Sequence, residues 1–162
     1  LKNFGPLEIL VISSFLYVLI MLVWTASTRS GVIKKASDIQ SNHKIVVEFI
    51  NNEVDMCSSD SEGLTAWGES CSSTWTSSQI VKHILDNFKL NNPYNIKKPL
   101  IQTAQDPRIR AEGKAGQSTD KGIIFVSSSN FDSEAGAEWI IGTCIKSPCV
   151  AAGNNELVSV YR

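Results

Sequence analysis

This sequence has almost no net charge: fifteen Lys and Arg stand against sixteen Asp and Glu, −1 overall. A nucleic-acid-binding surface normally shows as a strongly basic face, so no nucleic-acid partner is expected. Histidine is scarce, with only His43 and His83. Neither sits beside a recognisable nucleophile motif. The chain has no GxSxG, no HExxH, no phosphate-cradling glycine loop and no dinucleotide fingerprint. CxxC, the commonest redox motif, is absent too. Paired carboxylates brought together only by folding are the one catalytic arrangement a linear reading leaves open. The expectation is therefore a protein that is not an enzyme and holds no cofactor.

Methionine is also missing from the start. The chain opens at Leu1, and the expectation is that a segment has been removed upstream. Its first stretch, LKNFGPLEILVISSFLYVLIMLVWTASTRSG, is unlike the rest of the 162 residues. Setting it aside as residues 1–30 leaves 31–162, about the commonest size for one compact domain. From Ile9 to Ala26 there are eighteen uncharged residues, which as a helix cover roughly 27 Å, close to a bilayer's hydrocarbon core. A cleavable secretory signal would have a basic start, a shorter apolar run and a small-residue cleavage site, and would be gone from the mature chain.

Glu8 stands at the edge of that run, two residues after Pro6, a residue suited to a first helical turn. Two readings stand side by side. Glu8 is either an interfacial carboxylate complementing the positive end of the helix dipole, or an acid placed to meet a positive group on a neighbour. On an identical neighbour the nearest such group is the α-amino terminus. Ser13 and Ser14 are small enough to let other helices approach closely. Arg29, Lys34 and Lys35 come after the segment and only Lys2 precedes it, so the positive-inside rule puts the domain in the cytoplasm unless a basic leader has been removed.

All four cysteines, Cys57, Cys71, Cys144 and Cys149, lie after the apolar segment. If that part is exported, an even count favours two disulfides, with three possible pairings. Cys57 with Cys71 and Cys144 with Cys149 is the preferred arrangement, because each pair closes a short local loop. The spacings fit no zinc-ligand pattern.

Past Gly31, Val32, Ile33, Ala36, Ile39, His43, Val46, Val47, Ile50 and Val54 recur at intervals of three and four, one apolar helical face. Gly31 alone interrupts the path to the membrane segment, so the pattern predicts one helix from about Pro6 to Asp55, about 75 Å long and protruding from its domain. His43, on the apolar face, is expected to be packed and hydrogen-bonded rather than a ligand. Residues 57–78 are serine-rich and read as a loop stapled by Cys57 and Cys71. Its Trp67 and Trp75 either pack on the core or face a partner, and its hydroxyls are candidates for O-glycans. Ser77 or Ser78 would cap a short helix carrying Ile80, Val81, Ile84, Leu85 and Phe88, which ends at NNPYN.

Strands are expected near Leu100 and Ile101, at Arg108 to Arg110, and over residues 122–127, 138–145 and 156–162. Together they predict an antiparallel sheet with the long helix across one face. Asn130, Asp132 and Glu134 alternate faintly as in a calcium loop, but Gly136 comes one place late for that motif.

An early acid in FGPLEILVISSF, a long half-apolar helix, an antiparallel sheet and a late cysteine loop together resemble type IV pilins and their pseudopilin relatives. By motif the resemblance covers only about the first 24 residues, with NNPYN similar to the Asn-Pro-aromatic turn of some pilins. It implies an α+β, pilin-like fold and the role of a major pilus subunit. Such a subunit is inserted in the inner membrane, trimmed by a prepilin peptidase, often N-methylated, and added by pilus assembly machinery to an extracellular homo-oligomeric fibre, here by family likeness a bacterial one. In the family the early acid neutralises a neighbour's α-amino group, a role that carries over to Glu8. The Phe-x3-Glu pattern is matched by Phe4 and Glu8, yet the chain begins three residues earlier, and Asn3 stands where a Gly normally precedes the cut. Leu1 is taken as the mature end, which puts the acid three positions late. The assembly set implied is Leu1, Phe4, Glu8, Ile9, Leu10, Ile12, Phe15, Leu16, Leu19 and Leu22. The alternatives are a minor pilin or pseudopilin of a secretion or uptake machine, and a monomeric, membrane-anchored binding domain.

Overall fold

The computed structural model describes residues 5–112, 121–129 and 138–161, the side chains of residues 7–9 and 129 excepted. The chain divides into two units, residues 1–35 and residues 36–162. Helix α1 runs Pro6–Ser59, starting where the proline suits a first turn and continuing four residues beyond the expected Asp55. Cys57 consequently lies on its last turn rather than in the loop.

In the second unit the α1 residues Ile39, Val46, Ile50 and Val54 are buried, spaced seven, four and four apart along one stripe. Each buried Ile or Val contributes about 1.5–3 kcal/mol relative to an exposed one. They pack with Ile80, Val81 and Ile84 of α2 (Ser77–Asn87) and with one face of a four-stranded sheet. The sheet order is β1 (Ile101–Thr103), β2 (Ile124–Ser129), β3 (Glu138–Cys144) and β4 (Asn155–Tyr161). β2–β3 and β3–β4 are antiparallel, whereas β1 pairs with β2 in parallel, so the sheet is mostly rather than wholly antiparallel. The arrangement is α+β.

The expected strand at Arg108 to Arg110 is instead a short helix, α3 (Pro107–Glu112). The Asp106 carboxylate accepts a bond from the Arg108 N–H at 2.9 Å and Pro107 opens the first turn, so capping outweighs the apolar–polar alternation of the residues. α3 covers the opposite sheet face. Gly142 permits that approach, since a Cβ there would come within 2.9 Å of the Pro107 carbonyl. α2 is capped one residue earlier than expected: Thr76 forms a capping box with Gln79.

Both disulfides close local loops, Cys57 to Cys71 with Cα atoms 5.0 Å apart and Cys144 to Cys149 with 5.3 Å. The Glu53 carboxylate of α1 accepts from the Ala66 N–H at 2.8 Å and ties the first loop down. The turn at NNPYN is organised by the buried Asn92, whose Oδ1 accepts from the N–H groups of Tyr94 and Asn95. Gly122, at φ +78°, faces this turn, and any Cβ there would lie 2.7 Å from Asn92 Oδ1.

Candidate functional site

Helix alone determines what the N-terminal unit presents. Over Leu10 to Trp24 the large apolar residues fall all around the helix, and each is exposed, from Met21 at 39 % to Leu10 at 69 %. Phe15, Leu16, Leu19 and Leu22 are among them, as is Ile12. A stripe would leave one side polar, but here no side is, which is the pattern of a helix meant to be surrounded by apolar material. This helix is long and apolar enough to cross a membrane by length and composition.

The small polar residues of the segment do not spoil that surface. Ser13 Oγ donates to the Leu10 carbonyl at 3.0 Å and Ser14 Oγ to the Val11 carbonyl at 2.8 Å. Their hydroxyl protons are satisfied within the helix, as an apolar surrounding demands. Thr25, Thr28 and Ser30 bond back to carbonyls in the same way and begin the polar end of the segment. Trp24, 64 % exposed, stands just before them, a place where an aromatic ring with a polar edge suits a membrane interface.

Of the remaining assembly residues, Leu1 and Phe4 lie outside the described residues. Glu8 and Ile9 lie in the opening turns of α1, and their side chains are outside the described set. The Asn130, Asp132 and Glu134 alternation also falls outside it. Among the described residues no group of three His, Cys, Asp or Glu side chains is placed to hold a metal ion.

Within the second unit, His43 is 2 % exposed and each of its ring nitrogens faces an acceptor. Nδ1 lies 3.0 Å from a Glu156 carboxylate oxygen and Nε2 lies 3.3 Å from the Ile141 carbonyl. Gln40 donates to the other Glu156 oxygen at 2.9 Å. A neutral ring carries one N–H and donates to only one of these two acceptors at a time, so His43 ties α1 either to β4 through Glu156 or to β3 through Ile141. Burial lowers its pKa below the usual histidine value, against the opposing pull of the Ile141 carbonyl and the Glu156 carboxylate. Tyr94 donates to the Ile145 carbonyl at 2.6 Å, and burial raises its pKa.

The two loop tryptophans separate in role. Trp75 is buried and its indole N–H donates to the Ser70 carbonyl at 3.2 Å. Trp67 is only half-buried and lines a cavity with α2 residues. Sequence reading singled out Trp67 but missed its α2 neighbours; the signal was the recurrence of Lys82, His83, Asp86 and Asn87 on the polar side of a short amphipathic helix. No protein-family model, curated protein or solved structure matches this chain.

Proposed function

We propose that this chain is a structural subunit of a type IV pilus, held in the membrane by its N-terminal helix and then packed through that helix into an extracellular fibre. The observation that carries the reading is the apolar, all-round exposed surface from Leu10 to Trp24, preceded by a helical acid at position 8. A bilayer satisfies that surface before assembly, and identical helices satisfy it afterwards. Burial between helices would supply most of the cohesion, at about 25 cal/mol per Å² of apolar area. Glu8 neutralises an N-terminal amine of a neighbouring subunit, and the disulfide-closed domain coats the fibre.

The experiment is Glu8→Ala in the producing cell. The variant is expected to stay membrane-inserted while fibre yield drops sharply. Normal fibre yield would sink the role assigned to Glu8. Membrane-bound protein with no fibres even from the unaltered chain would favour a tethered monomeric domain. Fibres present only as short, rare assemblies would favour a minor pilin or pseudopilin.

A further inference from the structure

The second unit carries an open surface depression of about 470 Å³ that the fibre reading does not use. The disulfide-closed loop contributes Trp67 to its wall, and α2 contributes Gln79, Lys82, His83, Asp86 and Asn87.

Two half-buried rings give the wall its rigid part. Trp67 and His83 lie with centroids 6.3 Å apart, and each is backed by other aromatics. Phe49 stacks on His83 at 5.6 Å with planes 8° apart, and Trp67 meets the buried Trp75 edge-on at 5.0 Å. Rings braced in this way present a fixed apolar surface. Gln79 belongs to the frame, since its amide is committed to Glu69 and to the Thr76 cap. The polar groups left facing a ligand come from the exposed side of α2. Lys82 and Asp86 stand one turn apart there, and no ion pair joins them among the described residues. Asn87 donates to the His83 carbonyl at 2.9 Å, which leaves its amide oxygen as an acceptor.

Chemistry narrows the ligand. A phosphate or other anion would meet the Asp86 carboxylate with one lysine to offset it. An organic cation would meet the Lys82 ammonium. A wholly apolar ligand would cover an ammonium, a carboxylate and an amide without giving them partners. Among ligands that avoid these conflicts, a sugar ring also offers a C–H face that suits an indole, and its hydroxyls both donate and accept, so neighbouring hydroxyls serve an ammonium and a carboxylate together. We propose that this cavity binds a neutral saccharide, one pyranose ring resting against Trp67 with its hydroxyls read by Lys82, Asp86 and Asn87. The site belongs to the second unit alone and holds whether or not the chain polymerises.

The test uses the full chain in micelles of a detergent without a sugar headgroup. It is titrated with the methyl pyranosides of glucose, galactose, mannose and N-acetylglucosamine, with N-acetylneuraminic acid as the anionic comparator, and read by saturation-transfer NMR. At least one neutral pyranoside should bind saturably, with Kd of about 1 mM as suits so open a site. Asp86→Ala and Asn87→Ala, both at exposed positions, should each weaken it tenfold or more. Leu85→Ala, on the neighbouring depression, should leave it unchanged. Trp67→Phe should weaken binding while the chain still folds. Absence of saturable binding by all four neutral sugars, binding of the anionic sugar only, or unchanged affinity in Asp86→Ala would each overturn the proposal.

Discussion

The two halves of α1 use the same kinds of side chain to opposite ends. Leu10, Phe15, Leu16 and Trp24 in the first half are exposed, while Ile39, Val46, Ile50 and Val54 in the second are buried. The difference lies in pattern rather than composition. In the second half the apolar residues share one stripe, and α2 and the sheet cover it; in the first half they encircle the helix, and no described part of this chain covers them. By length and composition this half can cross a membrane, and under the proposed function lipid and then other copies of the helix cover it.

The largest expected effects come from attacking each half with the same kind of truncation. Ile50→Ala should destabilise the folded domain by about 2–5 kcal/mol in urea unfolding of the full chain in micelles, because it opens a cavity in a packed core. Leu16→Ala should leave that unfolding midpoint where it was and lower fibre yield instead. Equal costs at the two positions would break the comparison. Next, Cys57→Ser with Cys71→Ser frees the end of the buried half from its loop and should cost about 3 kcal/mol by the same assay, with the first half unaffected.

A pH titration sharpens the contrast further, since His43 lies only in the buried half. Its pKa is lowered on folding, so the unfolded chain binds the proton more readily. The stabilisation is fully present above the usual histidine value near 6.5 and is lost as pH falls below it. Unfolding midpoints measured from about pH 7.5 down to about pH 5 should therefore decline, and His43→Gln should flatten the decline. An unchanged midpoint across that range in the unaltered chain would contradict the burial of a neutral ring. The smallest effect is expected at the α2 cap: Thr76→Ala should cost about 1 kcal/mol, and a loss below about 0.3 kcal/mol would show that Gln79 holds the helix start without it.

Legibility depended on how local each signal was. The buried stripe of α1, with His43 inside it, was readable because 3.6-residue periodicity survives over many turns. β2, β3 and β4 were readable from their β-branched and aromatic runs. α3 is legible in Asp106 before Pro107, a helix-start signature that outweighs a three-residue alternation. The cap at Thr76 is legible too, three residues before Gln79. The parallel pairing of β1 is not readable, because no local pattern in a three-residue strand encodes its direction relative to β2. The cavity was half readable. Trp67 drew attention as a loop aromatic, but its meeting with Asp86 and Asn87 depends on where the Cys57–Cys71 loop lands on α2.

Under the proposed function, other copies of the same helix cover the first half of α1. Electron microscopy of material sheared from the producing cells, with mass spectrometry of its N-terminal peptide, tests this most directly. Thin fibres built from this chain are expected, with a core of packed helices containing Leu10 to Trp24 and Glu8 beside a neighbour's amine. Chain found only as membrane-bound monomer, with no fibres under any growth condition tried, would contradict it.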